Sequence, residues 1–228
     1  ALFVRYEIRL EQPILNLRLF TRSASFAYSN LAALINYSAT FAVGFLLSLY
    51  LQVAVGFDSQ TAGLILLSQP VIMALLSPFA GTLSDRVEPR VVASWGMGLT
   101  TAGLFVFSFL TSQTPLWLII LNLVLLGTGF ALFSSPNSNA IMGSVEKKYY
   151  GVASSTLGTM RTIGQAISMA IATLVVTLYL GGAELSPDQA ELLVKSVKVS
   201  FSIFALTCFG GIFASLARGK VLTGEAPH

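Results

Sequence analysis

Long apolar runs alternate with short polar connections along most of this chain, and six of the runs have the length of a membrane span. About 20 helical residues cross a hydrocarbon core of roughly 30 Å. The predicted spans cover residues 24–53, 60–84, 90–111, 115–143, 151–180 and 190–217. The pattern predicts an all-α membrane protein in which residues 23–217 form a bundle of six transmembrane helices. Residues 1–22 are predicted to be a cytoplasmic linker from a preceding span or bundle, and residues 218–228 a cytoplasmic tail.

Two connections carry helix signals of their own. The turn "TSQTP", Thr111 to Pro115, divides the third span from the fourth and offers a helix-starting proline. The segment "SPDQ", Ser186 to Gln189, has the pattern of a capping box with proline at the first helical position. The sixth helix is therefore predicted to begin in water and then enter the membrane.

The positions of the basic residues predict the orientation. Ten of the thirteen Lys and Arg residues fall before the first span, between spans two and three, between spans four and five, or after the sixth. By the positive-inside rule, these connections and both ends of the segment are cytoplasmic. The expected location is the plasma membrane, with the lipid bilayer as a partner.

Composition excludes several classes of protein. Hydrophobic residues make up 54% of the chain and charged residues 10%, whereas about a quarter of the residues of an ordinary soluble domain are charged. The net charge of +3 comes from scattered residues and not from a basic stripe, so nucleic acid is not an expected partner. Cys208 is the only cysteine and His228 the only histidine, so neither a metal cluster nor a Ser/His pair inside the bundle is expected. The sequence thus indicates no enzyme, no metal and no cofactor.

Small and polar residues form stripes on two of the spans, which indicates faces that avoid lipid. On the fifth span this stripe includes Gln165 and Arg161, and Arg161 lies roughly 15 Å from a helix start near Gly151, close to mid-membrane. Two roles are open for Arg161: a structural arginine that bonds backbone carbonyls or a cytoplasmic partner, or a cavity residue that contacts substrate. The first-span stripe consists of Ser29, Ala33, Asn36, Thr40, Gly44 and Ser48, with Asn30 and Tyr37 beside it.

The fourth and second spans add polar groups beside prolines. Pro136 interrupts the fourth span at the level of Asn137 and Asn139, and broken helices beside polar side chains are frequent at transporter sites; a kink packed inside the bundle is the alternative. Gln69 precedes Pro70 in the second span, where it would face the same path or bond a neighbouring helix. The candidate cavity residues are Asn30, Asn36, Tyr37, Gln69, Asn137, Asn139, Arg161 and Gln165.

The stretch "GTLSDRVEPR", Gly81 to Arg90, concentrates charge between the second and third spans. Gly81 is predicted to end the second span, Asp85 to follow the helix end, and Pro89 to start the third span. A carboxylate here would accept backbone amides at a helix N-terminus or pair with an arginine, and so latch helices together. The alternative is that these charges only fix topology.

This loop resembles the signature of the major facilitator superfamily of secondary transporters, Gly-x-x-x-Asp-Arg-x-Gly-Arg-Arg/Lys. Glu88 and Pro89 depart from it. Further segments, among them "LYLQVAVGFDSQTAGLILLSQP" and "SSPNSNAIMGSVEKKYYGVASSTLGTMRTIGQAIS", are similar to the C-terminal six-helix bundle of the fourteen-span drug:proton antiporters. The matching signature residues are Gly81, Asp85, Arg86 and Arg90.

The resemblance implies one half of a superfamily fold, in which two bundles rock around a central cavity. Spans one, two, four and five would line that cavity, and the matching loop would be a cytoplasmic gate. Implied partners are a small-molecule substrate, protons and an N-terminal half of six or eight spans. Because Asp and Glu occur only in loops, near the ends of spans or in the tail, the coupling residues are expected in that missing half.

The sequence therefore predicts the C-terminal half of a proton-driven exporter of drug-like or other small amphipathic molecules. The alternative is a half-size membrane scaffold or subunit that pairs with another six-helix chain. An aquaporin-like channel would need paired Asn-Pro-Ala segments, and a membrane enzyme would need clustered His, Asp or Glu; the sequence offers neither.

Overall fold

The computed structural model describes Phe20, residues 23–181 and residues 189–217, without the side chain of Asp85. The predicted linker apart from Phe20, the predicted tail, and Ser186 to Asp188 of the predicted capping box lie outside these residues. The helices are α1 (Ala24–Thr40), α2 (Val43–Leu49), a π-helical turn (Tyr50–Ala54), α3 (Ser59–Leu66), α4 (Ser68–Arg86), α5 (Pro89–Phe107), α6 (Leu116–Gly143), a 3-10 turn (Lys147–Tyr149), α7 (Tyr150–Leu180) and α8 (Ala190–Leu216).

These helices form six units that are long and apolar enough to cross a membrane, which confirms the all-α prediction with six spans. No strand occurs in the described ranges. Span 5 begins with the 3-10 turn, whereas spans 3, 4 and 6 are single helices. The spans are span 1 (Ala24–Ala54), span 2 (Ser59–Ser84), span 3 (Pro89–Phe107), span 4 (Leu116–Gly143), span 5 (Lys147–Leu180) and span 6 (Ala190–Leu216).

Span 1 is interrupted between α1 and α2. Phe41 and Ala42 form a turn there, and the amide of Ala42 donates a 3.0 Å hydrogen bond to Oγ of Ser168 on span 5. An unsatisfied amide inside a membrane would be costly, so the serine stabilises the break. Span 1 is thereby fixed to span 5 at a point where its own helical bonding stops.

Glycines set the close approach of spans 3 and 4. A Cβ on Gly96 would lie 2.6 Å from the carbonyl oxygen of Gly129 and 2.6 Å from the amide nitrogen of Phe133. Only glycine leaves room for the two backbones, as is typical of packed membrane helices. Span 6 completes the core by packing against spans 1, 3 and 5, for example through the rings of Phe107 and Phe201, whose centroids are 5.1 Å apart.

Span 2 does not end at Gly81, so this prediction is wrong. The helix α4 continues to Arg86, and a Cβ on Gly81 would lie 3.1 Å from Oγ of Ser135. Gly81 therefore marks the crossing of spans 2 and 4 rather than a helix end. Pro89 starts span 3, as predicted. Span 3 ends at Phe107, before the predicted residue 111, because Ser108 to Leu110 form turns.

Asp58 caps the start of span 2. Its Oδ2 accepts hydrogen bonds from the amides of Gln60 and Thr61, and its Oδ1 accepts one from the Thr61 hydroxyl. These hydrogen bonds lower the pKa of the Asp58 carboxyl below its ordinary value. The bond from the Thr61 hydroxyl has the largest effect on this pKa, and the bonds from the Thr61 and Gln60 amides add to it. A carboxylate at this position satisfies amides that a helix start leaves free.

We expect this cap to weaken in acid. Because folding lowers the pKa of Asp58, its contribution is present above the unfolded pKa of about 4 and is lost as the pH falls through the folded pKa. Hydrogen exchange at the amides of Gln60 and Thr61 should accelerate relative to neighbouring amides between pH 6 and pH 3. Asp58→Asn keeps an acceptor but does not titrate, so exchange at these two amides relative to their neighbours should stay constant with pH. If the exchange accelerates in acid as much in this variant as in wild type, Asp58 is not the cause.

Candidate functional site

Arg161 and Tyr37 form a stacked pair between spans 5 and 1. The guanidinium carbon of Arg161 lies 5.0 Å from the centroid of the Tyr37 ring, within cation–π range. Tyr37 also meets Phe130 of span 4 edge to face, with ring centroids 5.5 Å apart and an interplanar angle of 76°. Three spans thus meet at one aromatic ring, which is 7% exposed.

Gly164 is what brings Arg161 to this ring. It lies one turn after Arg161 on span 5, and a Cβ there would be 2.8 Å from Cβ of Tyr37 and 2.7 Å from the carbonyl oxygen of Leu34. A larger residue would push span 5 away from span 1. The close approach fixes Tyr37 against span 5 and holds the arginine above it.

The Arg161 side chain is exposed in this bundle, without an acidic partner among the described residues. The two ion pairs found there, Arg90–Glu88 and Lys148–Glu146, lie at the starts of spans 3 and 5. Within the same residues, Arg161 donates no hydrogen bond to a backbone carbonyl, and its guanidinium packs on the Tyr37 ring. The structural role and the substrate-contacting role both stay predictions.

Two exposed hydroxyl groups lie close to Arg161 in sequence but on other sides of span 5, because each residue turns the helix by about 100°. Thr159 and Thr162 are exposed and bond the carbonyl oxygens of Ser155 and Gly158 four residues earlier. Bonds of this kind satisfy a hydroxyl within a membrane helix. Gln165 is half-buried on the same helix. The face around Arg161 therefore presents the Gln165 amide and a cation that has no ion-pair partner in the part of the chain that the structure describes.

Asn139 is an exposed polar residue of span 4, and its Nδ2 donates a 2.9 Å hydrogen bond to Oγ of Ser84 on span 2. The bond lies near the end of the bundle that carries the loop Gly81–Arg90. Gln69, on the other half of span 2, is half-buried. Asn139 thus links two of the spans that the sequence assigns to the cavity wall.

Three of the predicted cavity amides are instead buried within the bundle. Asn30 and Asn36 are 0% exposed and Asn137 is 2% exposed. The Oδ1 atoms of all three have no hydrogen-bond partner, and neither has Nδ2 of Asn36, whereas Nδ2 of Asn30 donates to the carbonyl oxygen of Phe26. Buried polar groups without partners are rare and costly. These three residues lie inside the bundle, whereas Arg161 is exposed.

Helical register puts two of these amides at one depth. Asn30 lies two turns before Tyr37 on span 1, and Asn137 lies two turns after Phe130 on the antiparallel span 4. Both are therefore roughly 10 Å from the Tyr37–Phe130 ring pair, towards the Gly81–Arg90 loop. The sequence pattern found these residues but did not separate the buried ones from the exposed ones.

Replacing Asn36 with leucine is expected to stabilise the bundle. The change removes two unpartnered buried polar atoms and should raise the free energy of unfolding by about 1 kcal/mol or more. The matched control is Asn122→Leu, because Nδ2 of Asn122 donates a 2.8 Å bond to the carbonyl oxygen of Gly103; it should destabilise by about 1 kcal/mol. Thermal unfolding in detergent measures both, and a destabilised Asn36→Leu would mean that this amide is satisfied in the membrane.

The segment Gly81–Arg90 contains an ion pair that the sequence analysis did not predict. Nε of Arg90 lies 2.8 Å from Oε1 of Glu88, so the residue that departs from the signature engages one of its matching arginines. The prediction that Asp85 follows the helix end is wrong, because Asp85 belongs to the last turn of α4. Its side chain lies outside the described atoms, so the latch stays a prediction; Arg86 is exposed. The structure thus assigns Arg90 a partner within the loop.

The sequence analysis missed Phe130, Gly164 and Ser84. Phe130 is an ordinary apolar residue of span 4 in sequence, and its contact with Tyr37 appears only when the spans pack. Gly164 carried a usable signal, since it is a small residue one helical turn from a membrane arginine. Ser84 is the partner of Asn139, and no local pattern marks it.

Comparison with known protein families identifies the family of this chain. The model described as Major Facilitator Superfamily matches residues 30–224, which is most of the chain. The chain belongs to the major facilitator superfamily. This confirms the family resemblance, and the superfamily assignment together with the six apolar helices makes the chain a multi-pass membrane protein.

Relatives within the superfamily carry several names. The riboflavin transporter RibZ of Clostridioides difficile is 29% identical over 92% of this chain and 46% of its own length. The multidrug resistance protein Stp of Mycobacterium tuberculosis is 30% identical over 82% of this chain and 34% of its own length. The lincomycin resistance protein LmrB of Listeria monocytogenes is 27% identical over 78% and 37%. The chain spans from about a third to just under half of the length of these superfamily relatives.

Proposed function

We propose that this chain is half of a secondary transporter and supplies one wall of its substrate cavity. The observation that carries the proposal is Arg161, which lies near the middle of a membrane span on an exposed face and has no ion-pair partner among the described residues. Charge within a membrane is expensive and faces protein or a water-filled cavity rather than lipid. The face that contains Arg161 is therefore a cavity wall, and a second bundle is the other wall.

The other polar groups support the same surface. Gln165 lies one turn after Arg161 on span 5, Asn139 is exposed on span 4, and Tyr37 of span 1 contributes its ring. Gln69 on span 2 belongs to the same wall by its position and partial exposure. The buried amides Asn30, Asn36 and Asn137 support this wall from behind and do not contact substrate in this arrangement.

The transported molecules are small and amphipathic, and the direction is export. Two relatives named for resistance to drugs support this choice. Proton coupling is the proposed driving force, with the proton-binding carboxylates in the half that faces this one, since the sequence has no Asp or Glu in the middle of a span. The protein acts in the plasma membrane with both ends of this segment in the cytoplasm.

The loop Gly81–Arg90 is the proposed cytoplasmic gate. Asp85 and Arg86 end α4 at the bundle end where Asn139 bonds Ser84. Movement of this end would therefore displace spans 2 and 4 together. Arg90 contributes through its pair with Glu88. Gly81 allows span 2 to lie against Ser135 of span 4.

Transport by the complete protein tests this function. The protein, reconstituted in liposomes with an imposed pH gradient, should accumulate a fluorescent amphipathic dye, and a protonophore should abolish the accumulation. Dye movement that ignores the gradient would contradict proton coupling. No movement of any dye in a folded, correctly inserted preparation would favour a non-transporting scaffold or a subunit that needs another six-helix chain.

A further inference from the structure

We propose that Arg161 and Tyr37 form a subsite for flat substrates that carry an anionic group, and that this subsite disfavours cationic ones. The inference rests on the proposed function, because it assumes that this face lines the cavity. It adds a chemical class to that function: an aromatic ring system with a carboxylate or a comparable acid.

The charge preference follows from the lack of a counter-charge. The sequence has ten acidic residues, and those nearest the spans lie at their ends or in loops. Among the described residues, both acids that form ion pairs are engaged with other cations, Arg90 and Lys148. In a low-dielectric cavity the field of an unneutralised guanidinium attracts anions and repels cations more strongly than in water.

The preference for a flat ring follows from the geometry of the stack. Tyr37 lies beneath one side of the guanidinium, 5.0 Å from its central carbon. A guanidinium is planar and stacks on aromatic rings, while the N–H groups on its edge match a carboxylate in a two-bond fork. The exposed guanidinium can therefore take the acid group of a substrate at its N–H edge, or a flat ring on the side away from Tyr37.

The packing behind the stack makes it a preformed site. Phe130 contacts Tyr37 edge to face, and Gly164 brings the span 5 backbone to within contact of Cβ of Tyr37. Because the tyrosine is 7% exposed and enclosed by three spans, its ring has little freedom. Less ordering is then needed when a ligand binds, which favours affinity.

Binding of three matched probes to the complete protein in lipid nanodiscs tests the subsite. The probes are anthracene-2-carboxylate, its methyl ester and 2-aminomethylanthracene, which share one ring and differ in charge at pH 7. We expect the acid to bind at least tenfold more tightly than the amine, with the ester between them. In Arg161→Gln, the affinity for the acid should fall to that for the ester. In Arg161→Lys, the acid should still bind more tightly than the amine, but all three probes should lose the part of their affinity that comes from ring stacking.

Two further variants separate the subsite from general damage. Tyr37→Leu should weaken all three probes, because it removes the buried ring that holds the guanidinium in place and leaves the charge. Thr162→Ala, one residue from Arg161 and also exposed, should leave all three affinities unchanged. A Tyr37→Leu protein that binds each probe as wild type does would overturn the role of the ring.

The remaining outcomes each bear on the inference. Equal affinity of wild type for acid and amine, or an acid preference that survives in Arg161→Gln, would overturn it. If a carboxylate from the rest of the protein neutralises Arg161, wild type shows no acid preference and Arg161→Gln gains affinity for the amine, which also overturns it. In these cases, saturable binding of the ester would still support a substrate cavity. If none of the three probes binds saturably, the inference is overturned. The dye transport assay then tests the proposed function separately.

Discussion

Gly96→Ala is expected to lower the free energy of unfolding of the bundle by about 3 kcal/mol. The added methyl group would lie 2.6 Å from the carbonyl oxygen of Gly129, 2.6 Å from the amide nitrogen of Phe133 and 2.8 Å from the carbonyl carbon of Leu132. All three are backbone atoms, so no side chain can rotate away. Spans 3 and 4 would have to separate along the seam where they pack most closely.

Gly98→Ala is the matched control, because its Cβ would meet nothing within 4 Å. It lies in the same helix and carries the same gain of about 1 kcal/mol in helix propensity. Urea or thermal unfolding in one detergent, followed by tryptophan fluorescence, compares the two variants. Similar stabilities for Gly96→Ala and Gly98→Ala would contradict the packing of spans 3 and 4 described here.

Arg161→Ala in the complete protein is expected to reduce substrate transport at least tenfold while leaving the protein folded in the membrane. The arginine forms no ion pair among the described residues, and its contact with Tyr37 is worth roughly 0.5–1 kcal/mol at an exposed site. Its removal should therefore cost little stability. The loss would come from substrate recognition, which depends on the charge that this side chain carries into the cavity.

Efflux from cells and the amount of protein in isolated membranes should be measured together. Thr162→Ala is the control, since this exposed neighbour bonds only the carbonyl of Gly158 in its own helix; its transport should equal that of wild type. Normal transport of several substrates by Arg161→Ala would end the cavity role of this arginine. A strong fall in membrane level would instead show that Arg161 holds the bundle together.

The sequence predicted the number of spans because charge and turn residues interrupt the apolar runs at nearly every helix end. Pro89, for example, starts span 3 as expected. The end of span 2 was missed because glycine has two uses in a membrane helix, as a terminator and as a point of close packing. Gly81 serves the second, and only the position of Ser135 on another helix reveals this.

The candidate site was predictable in its residue types and less so in its geometry. Arg161 stands out from the sequence because charge is rare inside spans. Asn36 and Asn139 look alike in sequence, yet one is buried without a partner and the other is exposed and bonded to Ser84. Burial depends on how helices rotate against one another, and stripes of small residues on several faces leave that rotation open.

The hydrogen bond between Ala42 and Ser168 joins residues 126 positions apart, so it can form only late in the synthesis of the bundle. Spans 3 and 4 are consecutive, so their glycine seam can close as soon as Gly143 has been inserted. Span 1 precedes the other five described spans in the chain, but its break stays uncapped until most of span 5 has been synthesised. The amide of Ala42 therefore waits for its hydrogen-bond partner while spans 2, 3 and 4 are made.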